Sequence, residues 1–212
     1  MRLLGVLAVG FLTLTTACGG GGGDGDGGPG PNPQQTLNEI VPSVTTLNLS
    51  AGGGATIQMT ARDTEGGTIS NPGTYSYTSR STTIAEVNQQ GAVVGISAGT
   101  TTIDISLSRS GVTKQATVNV IVSGTLGLTA SVAAGTTSNT FQPQVVAIAR
   151  TGTVTWSFGS VEHNVFFSGA SGAPSNIPTT SGASISRTFN TAGNFTYDCN
   201  LHAGMTGTVI VR

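Results

Sequence analysis

Two stretches of strict alternation stand out in the middle of the chain. Ile103, Ile105 and Leu107 fall on one face of one segment, and Ala116, Val118, Val120 and Val122 on one face of the next, with Arg109-Ser-Gly111 between them. A period of two over this length, with no recurrence at three or four residues, predicts half-buried β-strands. The same pattern puts Ile57, Met59 and Ala61 on a strand face, and Gly-rich or polar interruptions predict turns at 51–54, 65–67, 89–91 and 109–111. Further strands are predicted at Val145–Ile148, Val154–Trp156, Val165–Phe167, Phe195–Tyr197 and Thr208–Val211. Phe195, Tyr197 and Cys199 share a face, and two aromatic residues on that face predict that Cys199 points inward at the strand's end. Short strands at this spacing, with no helical segment between them, predict an all-β chain built of sandwiches.

The first thirty-six residues follow another grammar. Arg2 precedes the apolar run Leu3 to Leu14, too short to span a bilayer as a helix but suited to the apolar region of an export signal. Thr15-Thr16-Ala17-Cys18 resembles the lipobox of bacterial lipoproteins, which implies cleavage before Cys18 and lipidation of that residue. Residues 19–30 contain nine glycines and lead into Pro-Asn-Pro, a composition with nothing to bury that predicts a flexible tether. No Gly-Lys-Ser/Thr follows it, so it is not a phosphate-binding loop. The expected organisation is a signal peptide at 1–17, a lipidated Cys18 and tether at 18–36, and folded domains at 37–123 and 127–212.

Composition narrows the function classes. Of 212 residues only 8% are charged, with eight Lys and Arg against nine Asp and Glu, while 37% are apolar. No basic stripe is available to neutralise a phosphate backbone, which argues against nucleic acid as a partner, nor is there a polybasic segment for a lipid surface. Within the first folded domain, Gly95-Ile-Ser97-Ala-Gly99 satisfies the nucleophile-elbow pattern. That motif needs a strand-to-helix turn and a nearby His, whereas here a second strand is predicted to follow and both His residues lie in the other half of the chain. The run from Tyr77 to Ile103, which includes Ile84-Ala-Glu-Val87 and Gly91-Ala-Val-Val-Gly-Ile-Ser-Ala-Gly99, resembles the bacterial immunoglobulin-like domain, group 2. The likeness covers most of residues 40–122. It implies an immunoglobulin-like β-sandwich used as a spacer or adhesive module, without shared catalytic residues.

The scarce residues concentrate at the C-terminus. The chain has two Cys and two His, and Cys199-Asn-Leu-His202-Ala-Gly-Met205 places three donor side chains at intervals of three, with His163 upstream. Singly, a Cys is most often a buried hydrophobe, a His a hydrogen-bonded filler and a Met packing. Together, one thiolate, two imidazoles and one thioether form the set that suits type 1 copper. Phe141-Gln-Pro143, Gly152-Thr-Val-Thr-Trp156, His163-Asn164 and Gly193-Asn-Phe-Thr-Tyr-Asp-Cys199, followed by His202, Met205 and Gly207, resemble a cupredoxin of the plastocyanin type, with a ligand loop closer in length to that of amicyanin. Leu201 stands where a Pro is frequent in that family.

The resemblance implies a Greek-key β-sandwich holding one copper through His163, Cys199, His202 and an axial Met205, with Asn164 helping to hold the Cys loop. The implied function is a membrane-tethered blue copper protein in the bacterial cell envelope, carrying single electrons between redox protein partners rather than acting as an enzyme. The chain is expected to be a monomer attached to a membrane through lipid on Cys18. A surface interaction or copper-sequestering lipoprotein, in which the metal is no redox carrier, stays open beside it.

Overall fold

The computed structural model describes residues 35–135 and 138–212. The predicted signal peptide, Cys18 and nearly all of the tether lie outside the described residues. Among those described there is no helix; every regular element is a strand.

The first half holds β1 (Leu37–Pro42), β2 (Thr46–Ser50), β3 (Gly54–Thr56), β4 (Met59–Asp63), β5 (Ser76–Ser79), β6 (Ala85–Val87), β7 (Ala92–Gly95), β8 (Gly99–Arg109) and β9 (Val112–Ser123). They form sheets of order β2-β9-β8-β5 and β3-β7-β6, with β1 and β4 as an antiparallel pair. The β8–β9 hairpin realises the strongest alternation in the sequence, and Ile103, Ile105, Leu107, Val118 and Val120 are essentially inaccessible to solvent. Its turn at Ser110 and Gly111 has φ of 49° and 79°, the positive values that match a two-residue turn to the twist of the flanking strands. The Gly95–Gly99 segment joins β7 directly to β8, and Ser97 Oγ donates to the Thr83 carbonyl at 2.6 Å. It is therefore a strand-to-strand turn, without the geometry of a nucleophile elbow.

The second half holds β10 (Thr129–Ala134), β11 (Phe141–Gln142), β12 (Val145–Ile148), β13 (Thr153–Phe158), β14 (His163–Phe167), β15 (Ile177–Thr180), β16 (Ser184–Thr188), β17 (Gly193–Asp198) and β18 (Thr206–Val211). One sheet has the order β11-β10-β13-β16 and the other β12-β18-β17-β14-β15. The parallel pairs β10–β13 and β12–β18 cannot be made by hairpins and require the chain to cross between sheets. Between the sheets lies a core rich in aromatic residues: Trp156 meets Tyr197 edge-on at 5.4 Å, and Phe141 meets Tyr197 at 4.9 Å.

All five strands predicted in this half are present. Of those that pattern reading misses, β15 and β16 are short and mostly polar, and β10 turns only Ala130, Val132 and Ala134 inward, a weak apolar signal. Across β13 and β16 the outward side chains pair hydroxyl to hydroxyl, Thr153 with Thr188, Thr155 with Ser186 and Ser157 with Ser184, at 3.2, 2.8 and 3.2 Å. Such pairs stabilise a sheet without producing an apolar period. In contrast, every residue of β7 and β12 is buried. A continuous apolar run of this kind belongs to a strand covered on both faces.

Candidate metal centre

The centre is assembled at the open end of β14, β17 and β18. His163 is the first residue of β14, so that strand starts two residues earlier than the apolar pattern indicated. Its side chain is fully buried. Cys199 follows β17 immediately, 3% exposed, on the inward face shared with Phe195 and Tyr197, as the alternation predicts. Between Cys199 and β18 the chain makes a compact loop. Cys199 N–H donates to the Met205 carbonyl at 2.9 Å, Met205 N–H to the His202 carbonyl at 3.2 Å, and His202 N–H to the Cys199 carbonyl at 3.2 Å. Gly204, with φ of 79°, supplies the left-handed residue that closes this turn.

Three donor atoms converge. His163 Nδ1 and His202 Nδ1 are 3.1 Å apart, and Cys199 Sγ lies 3.8 Å from the first and 3.5 Å from the second. Donors about 2.0 Å (nitrogen) and about 2.3 Å (sulfur) from one metal ion stand roughly 3–4 Å from one another, so this triangle fits a shared ion. Among the described residues it is the one group of three or more His, Cys, Asp or Glu side chains close enough to hold a metal, and Cys199 is a free thiol.

The surroundings prepare these atoms for ligation. His163 Nε2 lies 2.9 Å from the Gly135 carbonyl. A carbonyl only accepts, so the proton sits on Nε2 and the Nδ1 lone pair faces the triangle. Asn164 acts twice: its N–H points at Cys199 Sγ at 3.5 Å, and its Oδ1 accepts the Asn200 N–H at 2.9 Å. The side chain thus ties β14 to the Cys loop. Met205 is 1% exposed and packs in the same buried cluster as Cys199. His202 is half-buried, beside an exposed Leu201.

Behind Cys199 the core is apolar apart from two sealed polar atoms, Trp156 Nε1 and Tyr197 Oη, neither with a hydrogen-bond partner of good geometry. Burial pushes the Tyr197 phenol well above its ordinary range, with the adjacent indole of Trp156 acting in the opposite direction. Tyr197 is therefore neutral at any physiological pH and puts no charge next to the thiol. The Gly135 contact was not legible in the sequence, because a backbone carbonyl on a facing strand end carries no residue signature.

Residues 128–212 match the model of the copper binding proteins of the plastocyanin/azurin family. Among solved structures, the chain is similar to a mutant plastocyanin of a fern, at 24% identity over 39% of this chain and 100% of that one, with a TM-score of 0.36. It is similar to a mutant of amicyanin in its reduced Cu(I) form, at 29% identity over 39% of this chain and 80% of that one, TM-score 0.35. Two domains of the S-layer protein SbsC are similar at 27% identity over 42% of this chain and 54% of that one, TM-score 0.37. No curated protein matches the chain. The family match over residues 128–212 and the His163–Cys199–His202 cluster support one copper site.

Proposed function

We propose that this chain is a type 1 copper protein that carries single electrons in the bacterial cell envelope, tethered to a membrane through lipid on Cys18. The observation that carries the reading is the convergence of two imidazole Nδ1 atoms and one cysteine sulfur within 3.1 to 3.8 Å. The proposed ligands are His163, Cys199 and His202, and Met205 would add a weak thioether donor. When bound, copper supplies reversible one-electron exchange between Cu(I) and Cu(II).

The residues of the chain do the rest. Cys199 offers the sulfur, and the Asn164 N–H is directed at it. The Gly135 carbonyl fixes the ring of His163, and the loop hydrogen bonds of Cys199, His202 and Met205 hold their donors at one end of the sheet. A site held this firmly changes little between oxidation states, which suits electron transfer rather than bond-making chemistry. His202 is the donor that reaches the surface, and its exposed neighbour Leu201 gives a redox partner an uncharged surface to approach.

The immunoglobulin-like reading of residues 37–123 makes that half a spacer between the membrane and the copper domain. The test is an absorption spectrum of the chain on adding Cu(II). An intense visible thiolate-to-copper band is expected, absent in Cys199→Ser; the same band in that variant would remove Cys199 from the site. Copper that binds but cannot be reduced and reoxidised by a partner protein would favour the sequestering role. For the tether, Cys18→Ser is expected to move the protein from membranes to the soluble fraction, and unchanged membrane partition would overturn lipid attachment.

A further inference from the structure

The sheet that bears the ligand loop has a second, outward face, and part of it is buried. Val145, Ala147 and Ile210 turn away from the copper-side core and pack against Val94 and Ile96 of the first sandwich, with Leu126 beside them. Gly52 comes so close that a Cβ there would stand 2.9 Å from the Ala147 carbonyl oxygen.

Polar links flank this apolar patch. Asn194 Nδ2 donates to Glu86 Oε2 at 3.0 Å, and Arg212 forms an ion pair with the same carboxylate, whose side chain is only 16% exposed. Asn88 Nδ2 donates to Gln144 Oε1 at 3.0 Å. Asn88 is itself held, its Oδ1 accepting the N–H groups of Gln90 and Ala92 at 3.0 and 2.9 Å. Gln144 in turn accepts the Thr208 N–H on its carbonyl at 2.9 Å and sets its Nε2 3.5 Å from Thr206 Oγ1, one residue beyond Met205.

Asn194 lies on β17, and Thr206, Thr208 and Ile210 lie on β18. These are the two strands joined by the Cys199–Met205 loop. The first sandwich therefore grips from outside the same pair of strands that the ligands close from the end. We propose that the first sandwich is part of the scaffold of the copper site, with metal occupancy and the packing between the two sandwiches thermodynamically coupled. The proposal rests on the copper reading above. A metal joining the loop to His163 would restrict β17 and β18, and to the extent that this steadies the surface gripping them, that surface would steady the metal by the same free energy, because coupling between two sites is reciprocal.

The test is hydrogen exchange on the full chain with and without Cu(II), followed in peptides from the ligand loop (199–207) and from β6–β7 (85–96). Exchange is expected to slow in both, by about five-fold or more in β6–β7, while the β8–β9 turn at 109–112 is unchanged because it opens locally. In Glu86→Ala/Asn88→Ala the loop should still be protected by Cu(II), and β6–β7 should exchange at the same rate with the metal as without it. A blue band and a protected loop with β6–β7 unaffected would overturn the coupling and leave the copper reading standing. No blue band and no protection of the loop would overturn the copper reading, and the coupling with it.

Discussion

Met205 separates the role of a ligand from that of a core residue at one position. It is 1% exposed and packs in the same cluster as Cys199. As packing alone it would tolerate Leu, which is close to it in volume, with no change in the metal's properties. As an axial donor it sets the balance of oxidation states without being needed to retain the ion. Met205→Leu is therefore expected to stay copper-loaded and blue with a raised reduction potential, because loss of axial donation disfavours Cu(II). Met205→Gln is expected to lower the potential, since an amide oxygen is a harder donor. Voltammetry of both variants reads the outcome, and two potentials equal to the parent's would strike Met205 from the site.

At the level of elements, the centre depends on how β14 is joined to the turn that follows β17. Asn164 makes that join through its side-chain oxygen on the Asn200 N–H and its own N–H on the Cys199 sulfur. Asn164→Ala removes only the first of these and is expected to cost about 0.5–1.5 kcal/mol, the net worth of one hydrogen bond. Its larger effect should be kinetic: with the loop less constrained, copper is expected to leave faster to a chelator. Asn164→Asp keeps an acceptor oxygen and should restore most of the retention. Equal chelator rates in all three proteins would show that Asn164 does not hold the loop.

At the scale of the molecule, the buried patch between the sandwiches is expected to join the unfolding of the two halves. Ile210 is 2% exposed and belongs to that patch, not to the copper-side core. Ile210→Ala is expected to cost about 2–5 kcal/mol, as burial of this kind implies. It should also divide one calorimetric transition into two, because the side chain couples the halves rather than filling either. A single transition in the variant, shifted as a whole, would place Ile210 in one core only. Cleavage by a protease in the connection at 124–127 is expected to leave two fragments that still elute together on gel filtration.

Much of the fold is legible in the order of residues along the chain. The β8–β9 hairpin and the inward direction of Cys199 follow from alternation, because half-buried strands write their burial directly into residue order, while β12 was legible as a continuous apolar run. The candidate ligands were legible through scarcity: a chain with two His and two Cys has few ways to build a soft donor set. Strands β15 and β16 were not legible, since they are short and mostly polar, and neither was β10, whose inward face is two alanines and one valine.

The sequence by itself determined the class of the fold, the halves in which strands fall and the chemical character of the donor set, all of which depend on residue type and near-neighbour order. Only the tertiary structure decided what brings His163 against a loop 36 residues later, which carbonyl sets its tautomer, and that β7, β12 and β18 bury their second faces against one another. Those are contacts between segments far apart in the chain. Their partners are chosen by sheet order and by the packing of one sandwich on another, and neither the period of a strand nor the spacing of a motif encodes that choice.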